Sequence, residues 1–327
     1  MKTEKKQLIY LAAASHSGST MTAMLLGAHP DLCSVGELKA VHLGDKDSYL
    51  CSCKTLVGEC SFWQGVSEKM AKRGQDFCIS DARTDIRTGA TPYIRRLLKP
   101  LVRSPLMELI RDSLLTLSPT WRKQLPQLQK RNADYISAIA EQAGADAVVD
   151  SSKIGIRLKY LLKNKDLDIK VIWVVRDGRG VSLAYKNPSE YADAKDPTLR
   201  GGGAGKTQEH GRGVETGAHE WIRCNQETQA VLATMDKNKW IKVHYEDICN
   251  HTEKTLDEIF KFIGVDPNKK RLDFKAVEHH VVGNGMRLDD SDVIKLDDRW
   301  KIELSETDLK CFYNIAGEYH KKLGYDA

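Results

Sequence analysis

Residues 8–37 read LIYLAAASHSGSTMTAMLLGAHPDLCSVGE, and three kinds of local structure follow one another in them. Leu8 to Ala14 is a short, continuous, uncharged apolar run, the pattern of a parallel strand buried on both faces. Ser15-His16-Ser17-Gly18-Ser19-Thr20 is small and hydroxylated, and Met21 to Gly27 has helix-forming composition. A strand, a tight turn and a helix N-terminus together make an anion site. The first helical turn leaves its N–H groups free, and the helix dipole favours negative charge there. Ser17, Ser19, Thr20 and Thr22 add hydroxyl donors, and Gly18 lets the backbone approach a phosphate closely. The same pattern also describes an N-capped helix after a core strand, so the choice rests on the rest of the chain.

That chain has 327 residues, enough for a full core, and is expected to form a single domain, 1–327, with a helical insertion at about 66–145. Hydrophobic residues at 41% and charged residues at 29% are ordinary for a globular protein. A net charge of +5 suits an anionic substrate or cofactor without calling for nucleic acid or a membrane surface. No apolar run approaches the ~20 residues that span a bilayer. Met1 to Gln7 is charged and leads straight into a strand with no signal-peptide core, so the expectation is a cytoplasmic protein whose eight cysteines are mostly reduced. Cys51, Cys53 and Cys60 form C-x-C-x6-C. Three thiols are one ligand short of a structural zinc, and a fourth, such as His42 or Cys78, would have to fold in. The preferred reading is three free or buried thiols in a loop, with no metal site.

Further along, residues 66 to 74 look helical, as do Pro105 to Leu117 and Gln129 to Ala143, with prolines at 100, 105, 119 and 126 as punctuation. This insertion is expected to wall the substrate pocket. Asp146 to Asp150 reads as a second strand, followed by Ser151-Ser152-Lys153 and a helix to about Leu162. Ile169 to Val175 reads as a third, leading into Arg176-Asp177-Gly178-Arg179-Gly180 and a helix through Tyr185. Pro188 to Val214 is polar and glycine-rich and reads as a mobile loop, about 188–214. Its Gly205-Lys206-Thr207 is no phosphate loop, because Arg200 stands where a glycine is needed and no strand precedes it. A helix at about 215–235, a strand from Trp240 to Tyr245 and an amphipathic helix from Glu253 to Ile263 follow. Ser305 and Asp308 then form a capping box for the last helix. Strands alternating with helices imply an α/β fold, a parallel sheet flanked by helices. In such a sheet, polar residues just past the strand ends converge on one rim. Ser15 to Thr20, Asp150 to Lys153 and Arg176 to Arg179 all end strands this way, which favours the anion site.

With these blocks in place, the chain resembles the sulfotransferases that use 3′-phosphoadenosine 5′-phosphosulfate (PAPS), most nearly the branch of prokaryotic, carbohydrate-type and tyrosyl-type enzymes. SHSGST at 15–20 looks like that family's P-loop-like 5′-phosphosulfate loop, and VVRDGRGVSLAY at 174–185 like its 3′-phosphate block. VVDSSK at 148–153 is similar to the strand that delivers a basic residue to the sulfuryl group. HHVVGNGMR at 279–287, followed by Trp300, is similar to the segment that closes over the nucleotide. The family's first-loop cation is replaced by His16, and the serine it uses for the 3′-phosphate is replaced by Ala184, with Ser182 two positions earlier.

The resemblance implies transfer of a sulfuryl group from PAPS to a hydroxyl or amine of a small-molecule acceptor, leaving 3′,5′-ADP, by in-line displacement without a metal. Ser15, His16, Ser17, Gly18, Ser19 and Thr20 are implied to hold the phosphosulfate, and Arg176, Ser182 and Arg287 the 3′-phosphate. Lys153 is implied to sit on the bridging oxygen, His16 to become charged beside the anion, and Glu37 to serve as base. Arginine suits a phosphate because its planar fork binds two oxygens at once. His279 or His280 are alternatives to Glu37, His29 is expected to be structural, and Asp150 is expected to orient Lys153 or cap the next helix. Two other functions fit parts of the pattern. A P-loop kinase would need a lysine where Ser19 stands. A non-catalytic nucleotide-binding relative would account for His16 and Ala184.

Overall fold

The computed structural model describes residues 5–39, 49–187, 213–282, 288 and 293–326. Five parallel strands, β1 (Lys6–Ala13), β2 (Leu32–Ser34), β3 (Ala147–Lys153), β4 (Leu167–Val175) and β5 (Trp240–His244), form one sheet in the order β2-β3-β1-β4-β5. β1 is central because both of its faces are apolar. Leu8, Tyr10 and Ala12 join one core, with Val148, Ile169, Val171 and Trp173. Ile9, Leu11 and Ala13 join the other, with Val149, Ile172 and Val174. Leu8 to Leu11 are completely buried, and each large apolar side chain so placed contributes about 1.5–3 kcal/mol.

α1 (Ser19–Gly27) covers the second core. Four helices lie between β2 and β3: α2 (Ser61–Lys72), α3 (Pro92–Leu97), α4 (Pro105–Leu117) and α5 (Pro119–Ala143). α6 (Gly155–Leu161) follows β3, α7 (Gly178–Lys186) and α8 (Gly213–Leu232) follow β4, and α9 (Tyr245–Asn250) and α10 (Thr252–Ile263) follow β5. α11 (Trp300–Glu303) and α12 (Glu306–Lys322) close the chain. The chain winds from β1 to β2 and β3 on one side, then to β4 and β5 on the other. The strand order therefore reverses at β1, where sheets of this kind leave a crevice at their carboxyl edge.

The expected capping box is present, with Ser305 and Asp308 bonding each other's backbone N–H. Several boundaries differ from the sequence reading, each for a local reason. Pro126 lies inside α5 instead of ending a helix. Ser118 caps α5 through Trp121 N–H (3.4 Å), and the buried Trp121 and Leu128 anchor it on either side of the proline. Tyr245 opens α9 and is not the end of β5. β3 runs on through the polar Ser151-Ser152-Lys153, which were expected to follow the strand, and the reason lies in the site itself. The 188–212 part of the glycine-rich loop, including Gly205-Lys206-Thr207, lies outside the described residues. No helix among the described residues is long and apolar enough to cross a membrane.

Candidate active site

The turn after β1 is held in an unusual backbone conformation. His16 has φ 61° and Gly18 φ 74°. Gly18 is also the N-cap of α1, and a Cβ there would run into the ring of Tyr245, so space as well as φ demands glycine. Thr22 donates to the Gly18 carbonyl through both its N–H and its hydroxyl, each at 3.0 Å. No side chain caps α1, and its first turn carries no acidic residue. The helix end is thus set up for an anion. Ser17 is buried, and its hydroxyl has no hydrogen-bond partner. Such a group costs about 1–3 kcal/mol when left unpaired, and a phosphate oxygen would satisfy it.

The end of β3 is the opposite case, saturated with partners. Asp150, fully buried, accepts from Ser152 N–H (2.9 Å), from the Ser152 hydroxyl and from Leu38 N–H (3.1 Å), and its other oxygen faces the buried Arg157 guanidinium (3.3 Å). Arg157 in turn donates to Thr84 O (2.7 Å) and Asn132 Oδ1 (3.0 Å). Asp150 therefore neither bonds Lys153 nor caps α6, as the sequence reading had offered; it fastens the 36–39 turn to the strand. Two more bonds complete that clamp, Ser151 N–H to Gly36 O (3.1 Å) and Lys39 N–H to the Ser152 hydroxyl (3.1 Å). These bonds keep a polar segment in the sheet. β3 is offset by one residue against β1 between Tyr10 and Ala12, and Lys153 sits at φ 69°. Lys153 Nζ then reaches Glu37 Oε1 at 2.6 Å, and Lys39 Nζ lies 3.3 Å from Oε2. Two of the four non-glycine left-handed residues among those described, His16 and Lys153, are in this site. Such conformations persist only where surrounding structure imposes them.

Past β4, the buried Arg176 donates to His16 O (2.7 Å) and, with its other terminal nitrogen, to the carbonyl (2.8 Å) and carboxylate (2.9 Å) of Asp297. Its guanidinium lies over the Tyr245 ring, 4.8 Å from the centroid. Trp221 Nε1 donates to Arg176 O (2.9 Å). Arg179 is engaged elsewhere: it grips Asp177, donates to the Tyr313 hydroxyl (2.6 Å) and stacks on Trp300 at 3.8 Å, tying α7 to α11 and α12.

The electrostatics follow from this crowding. Burial, then Lys153 and Arg176, push the His16 pKa from 6.5 down to about 4, so the imidazole is neutral at pH 7 without an added anion. Burial would raise Glu37, but Lys153 and Lys39 outweigh it and hold the carboxyl at about 2. Asp297 is likewise held at about 2, where Arg299 and Arg176 overcome burial.

The structure thus gathers the 15–20 turn, Glu37, Lys153 and Arg176 at one edge of the sheet. Ser182 is fully buried against Gly217 of α8 with its hydroxyl unpartnered. Arg287 lies outside the described residues. His29 accepts from Asp31 N–H (3.2 Å) and so donates from Nε2 to Asp266 O (2.9 Å), the structural role expected of it. His279 is buried against Phe274 O (2.6 Å), and His280 stands among Cys51, Cys53 and Cys60; neither pairs with Lys153 as Glu37 does. That histidine stands where a fourth donor to the three cysteines would stand. Cys78 is exposed and beside Ser80 (2.9 Å), and His42 lies outside the described residues. Asp297, Tyr245 and Arg157 were not foreseen. The sequence showed the last only as one of two basic residues, with Lys159, in α6.

No family model matches the sequence, and no curated protein matches it in sequence. Solved structures do match in fold. A sulfotransferase domain from the curacin biosynthetic pathway superposes with a TM-score of 0.54 at 16% identity, over 99% of both chains. Sulfotransferase STF9 from Mycobacterium avium superposes with a TM-score of 0.50 at 12% identity, over 99% of this chain and 78% of that one. The chain has a sulfotransferase-like α/β fold.

Proposed function

We propose that the chain is a PAPS-dependent sulfotransferase of the prokaryotic, carbohydrate and tyrosyl type, acting on a hydroxyl or amine of a small-molecule acceptor. One observation carries this reading. The Glu37–Lys153 pair and the turn after β1 stand at the same carboxyl edge, where Arg176 is bonded to the backbone of that turn at His16. Bound PAPS would supply the activated sulfuryl group. The free N–H groups of α1 and the Ser17, Ser19 and Thr20 hydroxyls would hold its 5′ end, with Arg176, and Arg287 in the following segment, on the 3′-phosphate. Lys153 offsets negative charge beside the turn. With Lys39, its ammonium holds the Glu37 pKa down, and a carboxylate released from that ammonium becomes a stronger base for the acceptor's proton. Coupling the two makes the base strongest when the lysine is drawn to another anion.

The test is incubation of purified protein with labelled PAPS and a panel of hydroxyl and amine acceptors, alongside calorimetry with 3′,5′-ADP. Binding of 3′,5′-ADP with label transferred to an acceptor is the expected result. Binding without transfer to any acceptor would favour a non-catalytic relative, and magnesium-dependent ATP turnover in its place would favour a kinase.

A further inference from the structure

Residues 49–60 form a small knuckle beside the sheet. Leu50 and Leu56 pair across it, Val57 N–H bonds Tyr49 O (2.9 Å), and Lys54 turns the chain at φ 65° with its N–H on Cys51 O (2.9 Å). This places Cys51 and Cys53 side by side. Cys60 is the N-cap of α2, and no side-chain bond occupies it there. From 220 residues away, His280 enters the same space. The three sulfurs and an imidazole nitrogen all lie within 4.8 Å of one another. Cys53 Sγ to Cys60 Sγ is 3.6 Å, Cys60 Sγ to His280 Nδ1 is 3.3 Å, and Cys51 Sγ to His280 Nδ1 is 4.0 Å. Zn–S bonds of about 2.3 Å and Zn–N bonds of about 2.0–2.1 Å at tetrahedral angles require S···S near ~3.8 Å and S···N near ~3.6 Å. Those three separations fall within about 0.4 Å of that tetrahedron's edges, and the other three are no longer than 4.8 Å. The sulfurs are too far apart to be bonded to one another, since a disulfide needs about 2.05 Å.

We propose that Cys51, Cys53, Cys60 and His280 Nδ1 bind one zinc ion in a closed, structural Cys3His site. Binding displaces the thiol protons, and three thiolates with a neutral imidazole leave one negative charge on the complex. The surroundings support the ligand geometry. Phe62 stacks flat on the imidazole at 4.4 Å and fixes the plane of the ring, while the exposed Glu278 carboxylate lies 3.9 Å from the ring's other nitrogen, too far for a hydrogen bond. The knuckle is also sewn to the 279–282 segment by backbone. The Ser52 hydroxyl donates to His279 O and accepts from Val281 N–H (2.8 Å), and Ser52 N–H reaches Val281 O (3.3 Å). The next residue, Val282, donates to Val35 O (3.1 Å) and bridges Gly36, immediately before Glu37. The metal thus ties a distant C-terminal segment to the turn that carries Glu37. The catalytic consequence of that tie rests on the sulfotransferase reading, whereas the metal site itself does not.

The full chain, purified reduced and without chelator from zinc-supplemented cells, should carry one zinc per molecule by elemental analysis. Exchange with cobalt(II) should give thiolate charge-transfer and tetrahedral d–d bands. Cys53→Ser and His280→Ala should weaken zinc binding by more than the about 10- to 100-fold that loss of an outer partner costs. His280→Cys should keep the metal with a four-thiolate cobalt spectrum, and Cys78→Ser should behave as the parent. Should a ligand variant fail to fold, the parent's zinc content and cobalt spectrum decide alone. Parent protein that takes up no stoichiometric zinc when reduced, or that is isolated with a Cys53–Cys60 disulfide and no metal, would overturn the proposal. Neither readout depends on sulfuryl transfer.

Discussion

The ends of β1 and β3 lie side by side at the same edge of the sheet, yet they are built on opposite plans. After β1 the chain offers small residues, a helix end capped by no side chain and a buried hydroxyl without a partner. At the end of β3 the side-chain polar atoms of Asp150 and Ser152 are all engaged, and what they present is a half-buried carboxylate, Glu37, held between Lys153 and Lys39. The first region is incomplete in a way a ligand oxygen would mend. The second is complete and serves to hold two charged side chains in fixed relation. Unmet donors suit binding, and a rigid charged pair suits chemistry.

The largest effect should come from the charged pair. Glu37→Ala should lower turnover by about 100- to 10,000-fold while leaving the affinity for 3′,5′-ADP nearly intact, measured by steady-state kinetics and calorimetry. Near-normal turnover would remove Glu37 from the mechanism. Next, Asp150→Asn should destabilise the fold by about 3–5 kcal/mol in urea denaturation, since it leaves Arg157 buried without a counter-charge. A change under about 1 kcal/mol would mean that the β3 end is less committed than its hydrogen bonds indicate. On the binding side, Arg176→Ala should weaken 3′,5′-ADP by about 10- to 100-fold, and unchanged affinity would contradict its assignment. Ser17→Ala sharpens the contrast. It should leave stability unchanged or slightly improved, because the lost hydroxyl had no partner, yet cost about tenfold in 3′,5′-ADP affinity.

The smallest effect is that of pH. Because His16 titrates near 4 in the folded chain and near 6.5 when exposed, the unfolded chain binds a proton first as the pH falls. Stability contributed by the neutral imidazole is therefore present above about 6.5 and is lost progressively toward pH 4. Glu37 acts in a lower window: its ion pair contributes fully above its ordinary value of 4.5 and is lost as the pH falls through about 2. His16→Gln should flatten the thermal midpoint between pH 6.5 and 4 relative to the parent. Curves that superimpose would show that His16 is not the group responsible. The same shift predicts that 3′,5′-ADP binding near pH 6 takes up protons, visible as a buffer-dependent enthalpy, because the bound anion favours the charged imidazole.

What the sequence could disclose follows the same division. The β1 turn was legible because its chemistry is local: apolar run, small hydroxylated turn and helix are contiguous, whereas Tyr245, which makes Gly18 obligatory, and Arg176, which bonds His16 O, come from elsewhere. The β3 end was legible in its residue types but not in its form. Asp150-Ser151-Ser152-Lys153 reads as a polar exit from a strand, and it stays in the sheet only because residues 36–39, more than a hundred positions earlier, supply its hydrogen bonds. Arg176 was found from its place after β4, whereas its partner Asp297 sits 121 residues away with no pattern to announce it. His280 is the extreme case, 220 residues from Cys60, which is why three cysteines looked one ligand short.

The one-residue offset in β3 has a consequence for transplanting this chemistry. In a regular strand neighbouring side chains point to opposite faces, yet here consecutive residues, Ser152 and Lys153, both serve the loop that bears Glu37. Grafting the residue types onto an unbroken strand would send one of the two to the wrong side. What such a graft must copy is the length of the segment, so shortening or lengthening it by a single position threatens the site more than most exchanges of side chain within it.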